Sequence, residues 1–297
     1  MPTDAYSFWS RSRGYSFGIA AVLLWSIHNV GTEIGITDGL APQDLAFLRF
    51  SGGMIILVPL LFLQGLPLPR WDRLLLLGLL AGPLYSWIFM NGFRNAPLSH
   101  AVVIPPSVSI IATHIFERVF GKARMSRQSV VGISILLAGL LIVGSEASAP
   151  KSPGTSILLG DMCFVASGTM WGGYVYLMGR WRLSPVSTAT GIAVLSTLAF
   201  APIYFLAFDL PEVSVTVGIE QVIYQGFLGG ALALVSFTMA IEHLGAGRAS
   251  LFFAAVPGTA LCVAIPMLGR IPTPIQLLAI AVVMAGIVVS IRSRPSN

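Results

Sequence analysis

Apolar side chains run through this chain in blocks of about twenty residues, and each block stops at a cluster of turn-forming residues. Blocks of that length span the roughly 30 Å hydrocarbon core of a bilayer as helices. Ten can be drawn, near 15–34, 44–63, 71–92, 97–119, 127–145, 157–179, 185–207, 215–240, 246–268 and 274–292. The breaks hold Asp38-Gly39 with Pro42, Gly65 with Pro67 and Pro69, Asn95 with Pro97, and Pro150 through Gly154. Further on come Pro185, Pro211, Gly245 with Gly247, and Pro272 with Pro274. These connections are too short for a soluble domain. The pattern predicts an all-α membrane protein with ten transmembrane helices.

The pattern also repeats. Adding 148 carries Gly78 and Gly82 onto Gly226 and Gly230, Phe89 onto Phe237, Ala101 onto Ala249, and Gly121-Lys122 onto Gly269-Arg270. An offset of 146 carries Gly14 and Trp25 onto Gly160 and Trp171. Helices 2 and 7 share little. The expected organisation is a segment 1–13, a five-helix repeat 14–145, a linker 146–159, a second repeat 160–293 and a tail 294–297. Five is odd, so the sixth helix enters from the side opposite the first. The chain is therefore expected to fold as two inverted five-helix repeats. Inverted repeats with a site near the midplane are a common transporter plan.

Composition sharpens this reading. Hydrophobic residues make up 55% of the chain and charged residues 10%, against roughly 25% charged in soluble domains. Such a chain needs the lipid bilayer as solvent. The net charge of +5 comes from singly spaced basic residues, which gives no footprint for nucleic acid. With ten helices and a cytoplasmic N-terminus, thirteen of the 17 Lys and Arg fall on the inner side. Arg49, Arg94, Lys151 and Arg270 fall on the outer side, and most acids lean outward. That bias fixes orientation, with both termini inside. The first apolar run has no small-residue cleavage site, so it reads as a retained helix. Cys163 and Cys262 lie in apolar runs without neighbouring ligand residues and read as small hydrophobes.

Candidate site residues follow from polarity inside the spans. Trp25, His28, Asn29 and Thr32 share one face of helix 1. Polar groups in that position pair with one another or line a wet cavity. Tyr85, Trp171, Tyr174 and Tyr224 lie inside helices 3, 6 and 8, where a ring and a polar tip suit an amphipathic ligand. Ser107 belongs to a polar stripe on helix 4 with Ser99, Thr113 and His114. Pro105, Pro106 and Pro257 remove backbone donors and are kink or hinge candidates. Gly78, Gly82, Gly226 and Gly230 form small-residue strips suited to close helix packing. His28 is the mid-membrane group able to titrate near neutrality, which raises proton exchange as a coupling mode. The midplane otherwise looks nearly free of charge, which argues against a strongly ionic substrate. No catalytic constellation, metal spacing or cofactor motif is present, so the chain is not expected to be an enzyme.

Four segments carry a family resemblance: GIAAVLLWS (Gly18 to Ser26), LAFLRF (Leu45 to Phe50), NAPLSHAVVIPP (Asn95 to Pro106) and HLGAGRASLFFAAVP (His243 to Pro257). In their order and repetition they resemble the ten-helix EamA-type branch of the drug/metabolite transporter superfamily. That family often has Leu-Gly-Glu at the ends of the fourth and ninth helices. Here those places read Phe120-Gly121-Lys122 and Leu268-Gly269-Arg270, without the acid. The resemblance implies a bacterial inner-membrane exporter of small metabolites such as amino acids or aromatic compounds, with a central cavity. The leading expectation is alternating-access export of a small-molecule substrate, amino acids first, by a monomer without cofactors. The alternatives are a multidrug or quaternary-cation efflux pump and, from another class, a non-transporting scaffold or a membrane-embedded enzyme.

Overall fold

The computed structural model describes residues 3–121, 126–145, 154–244 and 250–292, for the backbone alone at 3–11, 250–251 and 291–292. Lys122, Arg124, Arg248, Ala249, most of the 146–159 linker and the 294–297 tail lie outside the described residues. Ten helices follow the ten apolar blocks, and no strand occurs among the described residues. The first five are α1 (Thr3–Thr37), α2 (Pro42–Gln64), α3 (Trp71–Asn95), α4 (Leu98–Val119) and α5 (Arg127–Gly144). The next three are α6 (Ile157–Trp181), α7 (Pro185–Ala207) and α8 (Val215–Leu244). The last are α9, a 3-10 turn Ser250–Ala255 running into Val256–Leu268, and α10 (Pro274–Arg292).

Two of these helices are interrupted. α3 breaks at Gly82 and resumes at Pro83, so the single span expected from sequence is two segments, Trp71–Ala81 and Pro83–Asn95. In α8 the stretch Val222–Leu232 is π-helical. α4, in contrast, stays helical through Pro105 and Pro106. α1 starts at Thr3, so most of the expected 1–13 segment is helix; no glycine or proline falls between Thr3 and Arg13 to stop it.

Glycine decides how the halves meet. On α1, a methyl at Gly14 would lie 2.6 Å from Leu244, and one at Gly35 would lie 2.8 Å from Gln221. α1 therefore seats on α8 of the other half. On α6, a methyl at Gly160 would lie 2.6 Å from Ala96, and one at Gly172 would lie 2.7 Å from Ala112. α6 therefore seats on α4 of the first half. Such notches let backbones approach where lipid offers no hydrophobic drive for helices to pair. Each half lends its first helix to the other.

The same contacts set direction. Along α6, Gly160, Gly168 and Gly172 meet Ala96, Pro105 and Ala112 in rising order, so α6 and α4 are parallel. Trp171 meets Tyr85 and Phe164 meets Phe93, so α6 opposes α3. Short connections make successive helices alternate, hence α3 runs with α1. α6 therefore runs against α1, and the second repeat is inverted relative to the first. The α5–α10 pair sits across the same axis: Gly132 abuts Ser290 and Gly286 abuts Leu136.

One core cluster joins both halves, with Leu45, Met90, Phe93, Leu136, Phe164 and Ile287 almost fully buried. The outer surface is apolar instead of polar. Leu206, Leu63 and Leu141 are 88%, 84% and 76% exposed. A contiguous apolar exterior of this kind belongs against lipid. Seven of the helices are long and apolar enough to cross a membrane, and α9 and α10 are shorter apolar helices.

Candidate functional site

Between the halves lies a cavity of about 120 Å³. α1 supplies Trp25, His28 and Asn29, and α3 supplies Tyr85 and Phe89. α4 supplies Ala101, Val102, Pro105 and Pro106, α6 supplies Trp171, and α9 supplies Phe253 and Val256. α2 adds Arg49. Pockets for drug-sized molecules usually span about 300–1,000 Å³. An aromatic metabolite would therefore need the halves to part further than they do here.

The two repeat-related tryptophans face this space from opposite halves. Trp25 stacks at a tilt on Phe253, with centroids 4.6 Å apart. Trp171 lies 5.4 Å from Tyr85. The wall is thus aromatic on both sides. On α4, prolines at 105 and 106 have no N–H to give, so the carbonyls of Ala101 and Val102 lack their usual helical donors. All four residues belong to the cavity wall.

Arg49 is the residue that sequence reasoning misplaced. It was expected on the outer side, yet it sits seven residues into α2 and lines the interior cavity. At 1.5 Å per residue that is about 10 Å below the start of the helix. Its Nη1 donates to His28 Nε2 at 2.7 Å. A guanidinium only donates, so Nε2 is the acceptor and the ring proton sits on Nδ1. Nδ1 then donates to the Tyr224 carbonyl at 3.3 Å, and His28 is neutral with both nitrogens engaged. Arg49 forms no ion pair with a carboxylate among the described residues. The expectation of a nearly charge-free midplane is corrected accordingly. The signal was present: Arg49 is a lone cation inside an apolar run, within the LAFLRF segment. Assigning every charge to its nearest loop hid it.

Beneath His28 a buried polar knot holds α1 to α8. Gln221 Nε2 donates to the Gly31 carbonyl at 2.9 Å. Gln225 Nε2 donates to Thr32 Oγ1 at 3.0 Å, and Thr32 in turn donates to the His28 carbonyl at 2.9 Å. The π-helical turns of α8 supply both glutamines' neighbours and the Tyr224 carbonyl. π-Helical turns inside α-helices are often found at functional sites.

The sequence candidates divide. Trp25, His28, Asn29, Tyr85, Trp171, Pro105 and Pro106 come together in the cavity wall. Ser107, Tyr174 and Tyr224 do not line it. Ser107 is fully buried and bonds back to the Val103 carbonyl at 2.7 Å. Tyr174 stacks on Trp171 at 4.9 Å within a cluster with Phe50, Leu77 and Ile192. The Tyr224 ring packs over Gly31 on α1. The polar stripe of α4 turns toward α6, where Thr113 donates to the Gly172 carbonyl at 3.2 Å. Pro257 is buried just past the 3-10 turn of α9, next to the wall residue Val256.

A larger hollow of about 290 Å³ opens where α9 ends and α4 and α10 begin. Turn residues Pro97, Arg270, Pro272 and Thr273 frame it, and Gln276 reaches Ser99 across it at 3.4 Å. At the same end Arg270 donates to Glu33, almost fully buried, at 2.8 Å. Arg270 stands where the resembling family often has an acid. His100 meets Asp161 nearby at 2.7 Å.

The family model of EamA-like transporters matches residues 12–145 and again 158–292. The chain belongs to the EamA-like transporter family. It is a multi-pass membrane transporter, and the two matches coincide with its two five-helix halves. An uncharacterized inner membrane transporter of Escherichia coli, YedA, is 25% identical over 91% of this chain and 87% of its own. An uncharacterized transporter of Bacillus subtilis, YyaM, is 23% identical over 80% of this chain and 79% of its own. A solved crystal structure superimposes with a TM-score of 0.64 at 19% identity, covering 94% of this chain and 97% of that one. At that identity it speaks for the fold alone.

Proposed function

We propose that this EamA-like protein exports small amphipathic metabolites, amino acids first, across a bacterial inner membrane by alternating access. The observation that carries the proposal is the cavity at the seam of two inverted halves, with one tryptophan from each half in its wall. Two near-equivalent halves can exchange conformations and open the same space to either side. Aromatic faces accept the apolar part of a metabolite, while Asn29 and the two carbonyls of α4 meet its polar part. The space is complete within one chain, which favours a monomer as the working unit. The excess of Lys and Arg on one side supports a cytoplasmic position for both termini.

Liposomes loaded with a panel of amino acids test this directly. Wild-type protein should release aromatic or branched members faster than empty liposomes, and Tyr85→Ala should slow release. Sealed liposomes that retain the whole panel would remove the reading. A quaternary-cation substrate has less support. Arg49 would repel it, and Glu33, the acid in the apolar part of α1, is already engaged by Arg270.

A further inference from the structure

We propose that Arg49, held in place by His28, is the seat for the carboxylate of the transported molecule. The substrate class is then an apolar or aromatic body bearing one carboxylate, and lone amines and quaternary cations are excluded. This rests on the cavity being the transport path.

The argument begins with what a cation inside a membrane needs. A charged side chain in the hydrocarbon region is costly, and such residues normally pair or face water and substrate. Arg49 has no acidic partner among the described residues, and it lines the cavity. A guanidinium carries five N–H donors in a planar fork. One is committed to His28 Nε2. That bond fixes the plane of the fork and leaves donors for an oxygen ligand in the cavity. Arginine binds a carboxylate through two parallel bonds, which lysine cannot copy.

The rest of the wall narrows the class. Among the cavity residues Arg49 is the one fixed charge, and none is acidic. A single guanidinium neutralises a single carboxylate, so a dianion would enter with unmatched charge. A lone amine would meet like charge. The matching helix of the second half, α7, contains no Lys or Arg, so it adds no second cation. The Trp25, Tyr85 and Trp171 rings then take the body of the molecule. The ammonium group of an amino acid would have ring faces, the Asn29 amide oxygen and the Ala101 and Val102 carbonyls but no carboxylate, so a plain organic acid should bind at least as well.

A matched trio decides this: hydrocinnamate, phenylalanine and phenethylamine, which share a ring and differ in the charged group. Dissociation constants are measured by calorimetry on purified wild-type protein and on Arg49→Gln. The wild type should bind hydrocinnamate at least as tightly as phenylalanine, and phenethylamine at least about tenfold more weakly. Arg49→Gln should weaken the two carboxylates about 30-fold, the loss of a charge-assisted fork, while phenethylamine changes little. Arg49→Lys should recover part of the loss. The proposal is overturned if phenethylamine binds as tightly as hydrocinnamate, if no member binds, or if Arg49→Gln stays within about twofold of wild type. Should Arg49→Gln fail to fold, the wild-type ranking still decides. Flux in liposomes separates the two readings. Arg49-dependent binding without flux keeps the seat and removes the transport reading. Equal flux with and without Arg49 removes the seat and keeps transport.

Discussion

Helices α3 and α8 carry the same glycine pair at the same repeat offset, and they use it differently. In α3, Gly82 marks a clean break, and a methyl there would run into the Gly78 carbonyl oxygen. In α8, Gly226 and Gly230 lie within a continuous π-helical stretch. Gly226 faces Gly52 of α2 backbone to backbone, and a methyl on it would sit 2.6 Å from the Gly52 Cα. Gly78, its repeat mate, meets only Leu195 at 3.8 Å. One motif thus serves a helix crossing in one half and a helix interruption in the other. A sequence repeat fixes where a helix yields, and its neighbours fix how.

Substitution at these positions tests the difference most strongly. Gly226→Ala should destabilise the protein by about 3 kcal/mol, because the atoms in its way are backbone and cannot yield. Gly78→Ala should be neutral or gain up to about 1 kcal/mol of helix propensity. Thermal melts in detergent read both; equal losses at the two sites would erase the contrast. Next in size is Gly82→Ala, expected to cost about 2 kcal/mol. Gly230→Ala should cost less, since its methyl would lie 3.1 Å from the Gln225 carbonyl and 3.2 Å from that of Arg49.

The two tryptophans probe function across the same divide. Trp25→Ala and Trp171→Ala should each lower metabolite flux about tenfold, the loss of about 1.4 kcal/mol of aromatic contact. A large effect from one and none from the other would mean that a single half does the binding. The smallest expected effect is that of His28→Gln, whose amide oxygen can still accept from Arg49. Flux under a pH gradient should fall no more than about twofold. Complete loss of the pH-driven component would restore His28 as a proton carrier.

Much of the fold was legible because bilayer spans leave a long one-dimensional record. The blocks at 127–145 and 157–179 became Arg127–Gly144 and Ile157–Trp181 within two residues. The break in α3 was signalled by Gly82-Pro83, yet the apolar run continued across it. The π-helical turns of α8 left no mark, because a helix apolar on most sides shows no shift of period. The cavity wall was legible where polarity and aromaticity coincide, as at Trp25, His28, Asn29, Tyr85 and Trp171. It was misread at Tyr174 and Ser107, where a neighbouring ring or the residue's own helix supplies the partner. Arg49 escaped because only the fold brings α2 against His28.

The Arg270–Glu33 bond closes one end of the seam. Swinging that end apart strips a sunken carboxylate of its guanidinium. Any motion that opens this end must therefore re-house a charge that the closed form keeps out of water.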